Sequence, residues 1–85
     1  MILTWKSTVC PIFGDAFELH GLRDGESASC RRHGVGKFIA NAFIGGRYLS
    51  HVARTKASAM ARLEKEIDRR SIGLFGVDDV TFVQP

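Results

Sequence analysis

The stretch that decides the fold is residues 37–54, KFIANAFIGGRYLSHVAR. Two runs rich in strand-forming residues flank Gly45-Gly46. Glycine accepts positive φ at little cost, which two-residue hairpin turns demand. Such a turn sets Ile44 opposite Arg47, Phe43 opposite Tyr48, Asn41 opposite Ser50 and Ile39 opposite Val52. Alternate residues of a strand take opposite faces. One face then carries Phe38, Ala40, Ala42, Ile44, Leu49 and Ala53, with His51 among them. The other carries Lys37, Ile39, Asn41, Phe43, Tyr48, Ser50, Val52 and Arg54. The first is nearly all apolar, and its alanines let a helix approach closely, so it is expected to face the core. The second mixes amide, hydroxyl, aromatic and basic groups and is expected to be a working surface.

Downstream, Thr55 is suited to cap a helix, and the pattern predicts that helix over Lys56–Ser71, with Met60, Leu63 and Ile67 on one stripe. Gly73 is placed to end it in a left-handed cap. Val80–Val83 reads as a short last strand. Upstream, Ile2–Val9 reads as a strand ended by Cys10-Pro11, since proline donates nothing to a ladder. Gly14-Asp15 reads as a turn, residues 16–22 as a strand, residues 24–27 as a turn, and Ala28–His33 as an edge strand. The expected fold is α+β, an antiparallel sheet of three to five strands with one helix packed on one face.

The chain has 85 residues, 45% of them hydrophobic and 25% charged. That is globular usage and fits a single domain over residues 1–85. Its size leaves no room for a second domain or a large cofactor fold, and it carries no apolar run long enough for a membrane helix. The opening Met1-Ile2-Leu3-Thr4-Trp5-Lys6 lacks a basic leader region, so a cytoplasmic location is expected.

Net charge is +3, but it is unevenly spread. Residues 1–26 sum to −2 and residues 64–85 to −2. Residues 27–63 carry Arg31, Arg32, Lys37, Arg47, Arg54, Lys56 and Arg62 with no acid, a charge of +7. Such a run makes a positive face that attracts phosphates or an acidic protein surface, unless acids from both ends fold back and neutralise it.

Catalytic and metal chemistry find little support. His20, His33 and His51 lie in no hydrolase or zincin motif. Gly34-Val35-Gly36-Lys37 echoes a phosphate loop, but Arg31 stands where the first glycine belongs and Phe38 where Ser or Thr must hold magnesium. Cys10, His20, Cys30 and His33 sketch a zinc site without the two tight ligand pairs that zinc modules use. The two cysteines are expected to be free thiols. No enzyme, metal or cofactor is expected.

Residues 36–70, GKFIANAFIGGRYLSHVARTKASAMARLEKEIDRR, resemble two nucleic-acid-binding families in the order of hairpin and helix. One is the three-strand-plus-helix DNA-binding domain of plant ethylene-response factors and phage-integrase arm-binding domains. That resemblance implies a sheet face of Lys37, Asn41, Tyr48, Ser50 and Arg54 with Arg31 and Arg32 beside it. The other is the double-stranded-RNA-binding domain, whose last helix opens with a lysine cluster where this chain has Thr55-Lys56-Ala57-Ser58. In either case Arg31, Arg32, Lys37, Arg47, Arg54 and Lys56 would meet phosphates, while Asn41, Phe43, Tyr48 and Ser50 would meet bases or a partner. About four neutralised phosphates on a duplex would give a log–log salt slope of roughly −3 to −4.

The chain also resembles small accessory proteins of phages and mobile elements. That likeness implies an anti-CRISPR-like inhibitor docking on an acidic or RNA-bearing host defence complex, with Ile39, Phe43, Tyr48 and Val52 as anchors. The same stripe is suited to a homodimer of sheet packed on sheet.

Overall fold

In the computed structural model, Gly45 and Gly46 both take positive φ, 60° and 74°, and the hairpin closes in the expected register from Ile44↔Arg47 to Phe38↔Ala53. The structure describes residues 1–10, 12 and 14–85, without the side chain of Cys10. The strand end expected at Cys10-Pro11 therefore lies partly outside the described residues.

The chain order is β1 (Ile2–Cys10), β2 (Gly14–His20), β3 (Ser27–Arg32), β4 (Phe38–Ile44), β5 (Arg47–Ala53), α1 (Lys56–Arg69), α2 (Ser71–Phe75) and β6 (Thr81–Val83). The strands form one sheet in the order β5-β4-β3-β2-β1-β6. The α+β class and a main helix packed on the sheet match the sequence reading, but three features differ. The sheet has six strands rather than three to five, and it is mixed, because β6 runs parallel to β1. A parallel neighbour needs a crossover connection, and the segment through α1 and α2 supplies it. Ala28–His33 was expected at an edge, yet β3 is interior, bonded to both β2 and β4.

Two boundaries also move. Gly14 and Asp15 begin β2 rather than forming a turn. The helix stops at Arg69, and Gly73 lies inside the short α2, whose left-handed cap is Gly76 at φ 71°. Thr55 caps α1 as expected, its hydroxyl accepting the Ser58 amide at 3.1 Å.

The core lies between one sheet face and α1. Ala40, Ala42 and Ile44 of β4, Cys30 of β3 and Leu3 and Trp5 of β1 meet Ala59, Met60, Leu63 and Ile67 of α1 and Leu74 of α2. Alternation puts every second residue of each strand on that face, and the small alanines bring the helix close.

Two carboxylates pin this layer. Glu66 receives His51 Nε2 at 2.5 Å and pairs with Arg70 Nε at 3.0 Å. The hydrogen bond from His51, then the charges of His51, Arg70 and Arg69, hold its carboxyl below the usual range. Glu26 is lowered chiefly by its hydrogen bond from Arg23, and it also accepts the Gly45 amide at 2.9 Å. A carboxyl depressed in the folded state adds stability above its unfolded pKa, about 4.3, and loses it as pH falls through the folded value. Urea midpoints should therefore drop as pH falls below about 4.3. Glu66→Gln should make that drop shallower, and an unchanged acid limb would show that Glu66 is not held by this network.

Candidate nucleic-acid interface

Among the described residues, no helix or strand packs over the sheet face away from α1. The strand registers align its side chains in rows. One row is Thr8, Ala16, Arg31, Ile39 and Val52. The next is Lys6, Glu18, Ser29, Asn41 and Ser50. A third brings Ser27, Phe43 and Tyr48 together over β3–β5. Tyr48 is 67% exposed, Phe43 45% and Val52 43%. Phe43 and Tyr48 are direct cross-strand neighbours, so their rings form one apolar platform. Beside it Ser50 Oγ donates to Asn41 Oδ1 at 2.9 Å, which orients the amide.

Lys37 and Arg54 extend the same face at the end carrying Arg31. There they line a groove of about 660 Å³ together with Val35, Val52, Ser58 and Arg62. Arg62, on α1, reaches over the β5 edge and donates Nη1 to the Val52 carbonyl at 3.0 Å. It is the residue that site selection from sequence missed. It belongs to the acid-free run, but only the placement of α1 brings it to the sheet.

Not all the expected cations share this face. Arg32 pairs with Phe38 and Arg47 with Ile44, which puts both in the register of the helix side, at opposite ends of the sheet. Lys56 is also on that side, its ammonium 5.2 Å from the centre of the Phe17 ring. The structure thus brings together Arg31, Lys37, Asn41, Phe43, Tyr48, Ser50 and Arg54, and separates Arg32, Arg47 and Lys56 from them.

Acids from both ends reach this run at the Gly45 amide and at His51, but among the described residues not at its Lys and Arg side chains. Among the described residues, the ion pairs are His20–Glu18, Arg23–Glu26 and the contacts of Glu66 with His51, Arg69 and Arg70. None uses Arg31, Arg32, Lys37, Arg47, Arg54, Lys56 or Arg62. The half of the open face over β1 and β2 is different in character: Lys6, Glu18 and His20 mix both signs there.

His51 takes the structural position expected from its face, locked to Glu66 between sheet and helix. Cys30 and His20, drawn together in the zinc sketch, lie on opposite faces of the sheet. Cys30 is fully buried beneath α1, with Sγ 3.9 Å from the Lys56 carbonyl, and burial pushes its thiol up to about 11. No known protein family, curated protein or solved structure matches the chain.

Proposed function

We propose that the chain is a non-enzymatic binding protein whose open sheet face takes single-stranded nucleic acid over β3–β5. The observation that carries this reading is an uncovered aromatic pair, Phe43 and Tyr48, on the same face as cations that have no carboxylate partner among the described residues. Every base has a π-face, so exposed rings on a sheet make a sequence-tolerant stacking platform. Four residues of strand, about 13 Å, separate the aromatic row from the row of Arg31. Bases on Phe43 and Tyr48 thus leave a backbone that runs toward Arg31, Lys37, Arg54 and Arg62. The Asn41–Ser50 pair, midway, offers hydrogen bonds to base edges.

Binding of labelled single-stranded DNA and RNA across a salt series tests this. Four neutralised phosphates on a single strand predict a log–log slope of about −3. The triple variant Arg31→Ala/Lys37→Ala/Arg54→Ala should flatten that slope by about 2. Tyr48→Ala should cost about 1–3 kcal/mol at an unchanged slope. Absence of binding at low salt, or a triple variant that binds like the wild type, overturns the reading.

A second reading keeps the same face and changes the partner. Ile39 and Val52 form a second apolar pair on this face, across the Asn41–Ser50 row from Phe43 and Tyr48, and two such pairs also suit docking on a protein, as an inhibitor of a host defence complex would require. That docking would be nearly insensitive to salt and would be lost in Tyr48→Ala.

A further inference from the structure

We propose that the β5 edge is a homodimerisation edge. Two copies pair antiparallel along Arg47–Ala53 about a twofold axis at Ser50 and continue one sheet through both molecules. The inference is independent of the nucleic-acid reading.

β5 is terminal in the strand order. In a hairpin closed by two residues, the pairs Ile44↔Arg47, Ala42↔Leu49, Ala40↔His51 and Phe38↔Ala53 exchange the inter-strand hydrogen bonds. The N–H and C=O groups of Tyr48, Ser50 and Val52 therefore point away from the sheet. Arg62 confirms the direction for one of them, since it reaches the Val52 carbonyl from outside.

Apart from Arg62 over the Val52 carbonyl, this edge lacks the usual guards. Its pairing is continuous over all seven residues, so it carries no bulge, and Tyr48–Ala53 contains no proline, lysine or arginine. The one side chain in that span able to carry a positive charge, His51, points to the helix side and is held by Glu66. The opposite edge differs, because β6 has only three residues and is followed by Gln84-Pro85.

The strand is also complementary to itself. A twofold at Ser50 is the register that pairs all of Arg47–Ala53 with its copy. On the open face it sets Ser50 against Ser50, and Tyr48 against Val52 of the second copy. Hydroxyl meets hydroxyl, aromatic meets β-branched, and about six inter-strand hydrogen bonds form. On the helix side Leu49 meets His51 and Arg47 meets Ala53. Arg54 lies opposite Gly46, on the other face from Arg47, so no like charges are opposed. The Val52 carbonyl has a second lone pair and accepts the copy's Tyr48 amide beside Arg62. Shifting the axis by one residue, to Leu49 or His51, shortens the paired length and sets Tyr48 against Ser50 or Arg54.

Sedimentation equilibrium on the full chain, free of nucleic acid, should show a concentration-dependent dimer. Ser50→Pro removes an amide that β4 does not use. It should weaken self-association by about tenfold or more while the circular dichroism spectrum stays that of the wild type. Ser50→Ala, which loses the hydroxyl contacts to Asn41 and to the copy's Ser50 but keeps the backbone amide, should still dimerise. Cross-linking provides a test that survives a misfolded proline variant. Directly opposed residues of a bonded pair lie about 5.5 Å apart at Cα, within disulfide reach. In a Cys10→Ser background, Ser50→Cys should form a covalent dimer on oxidation, and Val52→Cys alone should not. A chain that is monomeric at every concentration, a folded Ser50→Pro that dimerises like the wild type, or cross-linking through Val52→Cys instead of Ser50→Cys overturns the proposal.

Discussion

Trp5→Ala should cost about 3–5 kcal/mol of folding stability, the range for emptying a large aromatic site. Trp5 is 1% exposed and sits in β1 against the core shared with α1. Its indole Nε1 also donates to Glu64 Oε2 at 2.7 Å, which ties the helix to the far side of the sheet. A domain of this size has roughly 4–13 kcal/mol in total, so the variant would sit close to its unfolding limit. Trp5→Phe keeps most of the packing and gives up the indole hydrogen bond, at about 1–2 kcal/mol. Because Trp5 is the only tryptophan, the urea titration has to be read by far-ultraviolet circular dichroism. A loss below about 1.5 kcal/mol for Trp5→Ala would mean that β1 contributes little to the core.

Gly21→Ala should be the most damaging of the glycine replacements. Gly21 leaves β2 at φ 107°, a conformation that L side chains rarely adopt, and a Cβ there would lie 2.8 Å from the backbone oxygen of Ile2. The conformation alone costs about 1–3 kcal/mol. The overlap adds to it, because the atom struck belongs to the β1 backbone and has no rotamer to turn away. Gly25→Ala is the control: its φ is 81°, but nothing lies within 4 Å of the added carbon. The difference between their unfolding free energies measures the overlap by itself. Equal losses would show that β1 gives way at Ile2 without cost.

The hairpin was legible because its determinants are local. Gly45-Gly46 sets a turn, the turn sets the register, and period-two alternation then sorts Phe43, Tyr48, Asn41 and Ser50 onto one face. Thr55 and the stripe of Met60, Leu63 and Ile67 fixed the helix in the same way. Gly73 misled because two glycines stand close together, and the chain takes another helical turn, α2, before Gly76 ends it.

What failed was non-local. The residues of β3 fit an edge or an interior equally well, and only β2 and β4 closing on both sides made it interior. β6 is three residues long, and its pairing with β1 joins the two ends of the chain. The charge run shows the same division. By itself the sequence determined that residues 27–63 carry +7 without an acid and which side of the hairpin is polar. Only the tertiary structure decided that Arg62 joins Lys37 and Arg54 while Lys56 turns to the Phe17 ring. It also decided that Glu18, Glu26, Glu64 and Glu66 take partners other than the Lys and Arg side chains of that run. Strand alternation and turn geometry act between neighbours in the chain. The direction in which α1 crosses the sheet is set by the core that it covers, and no short stretch of sequence contains that core.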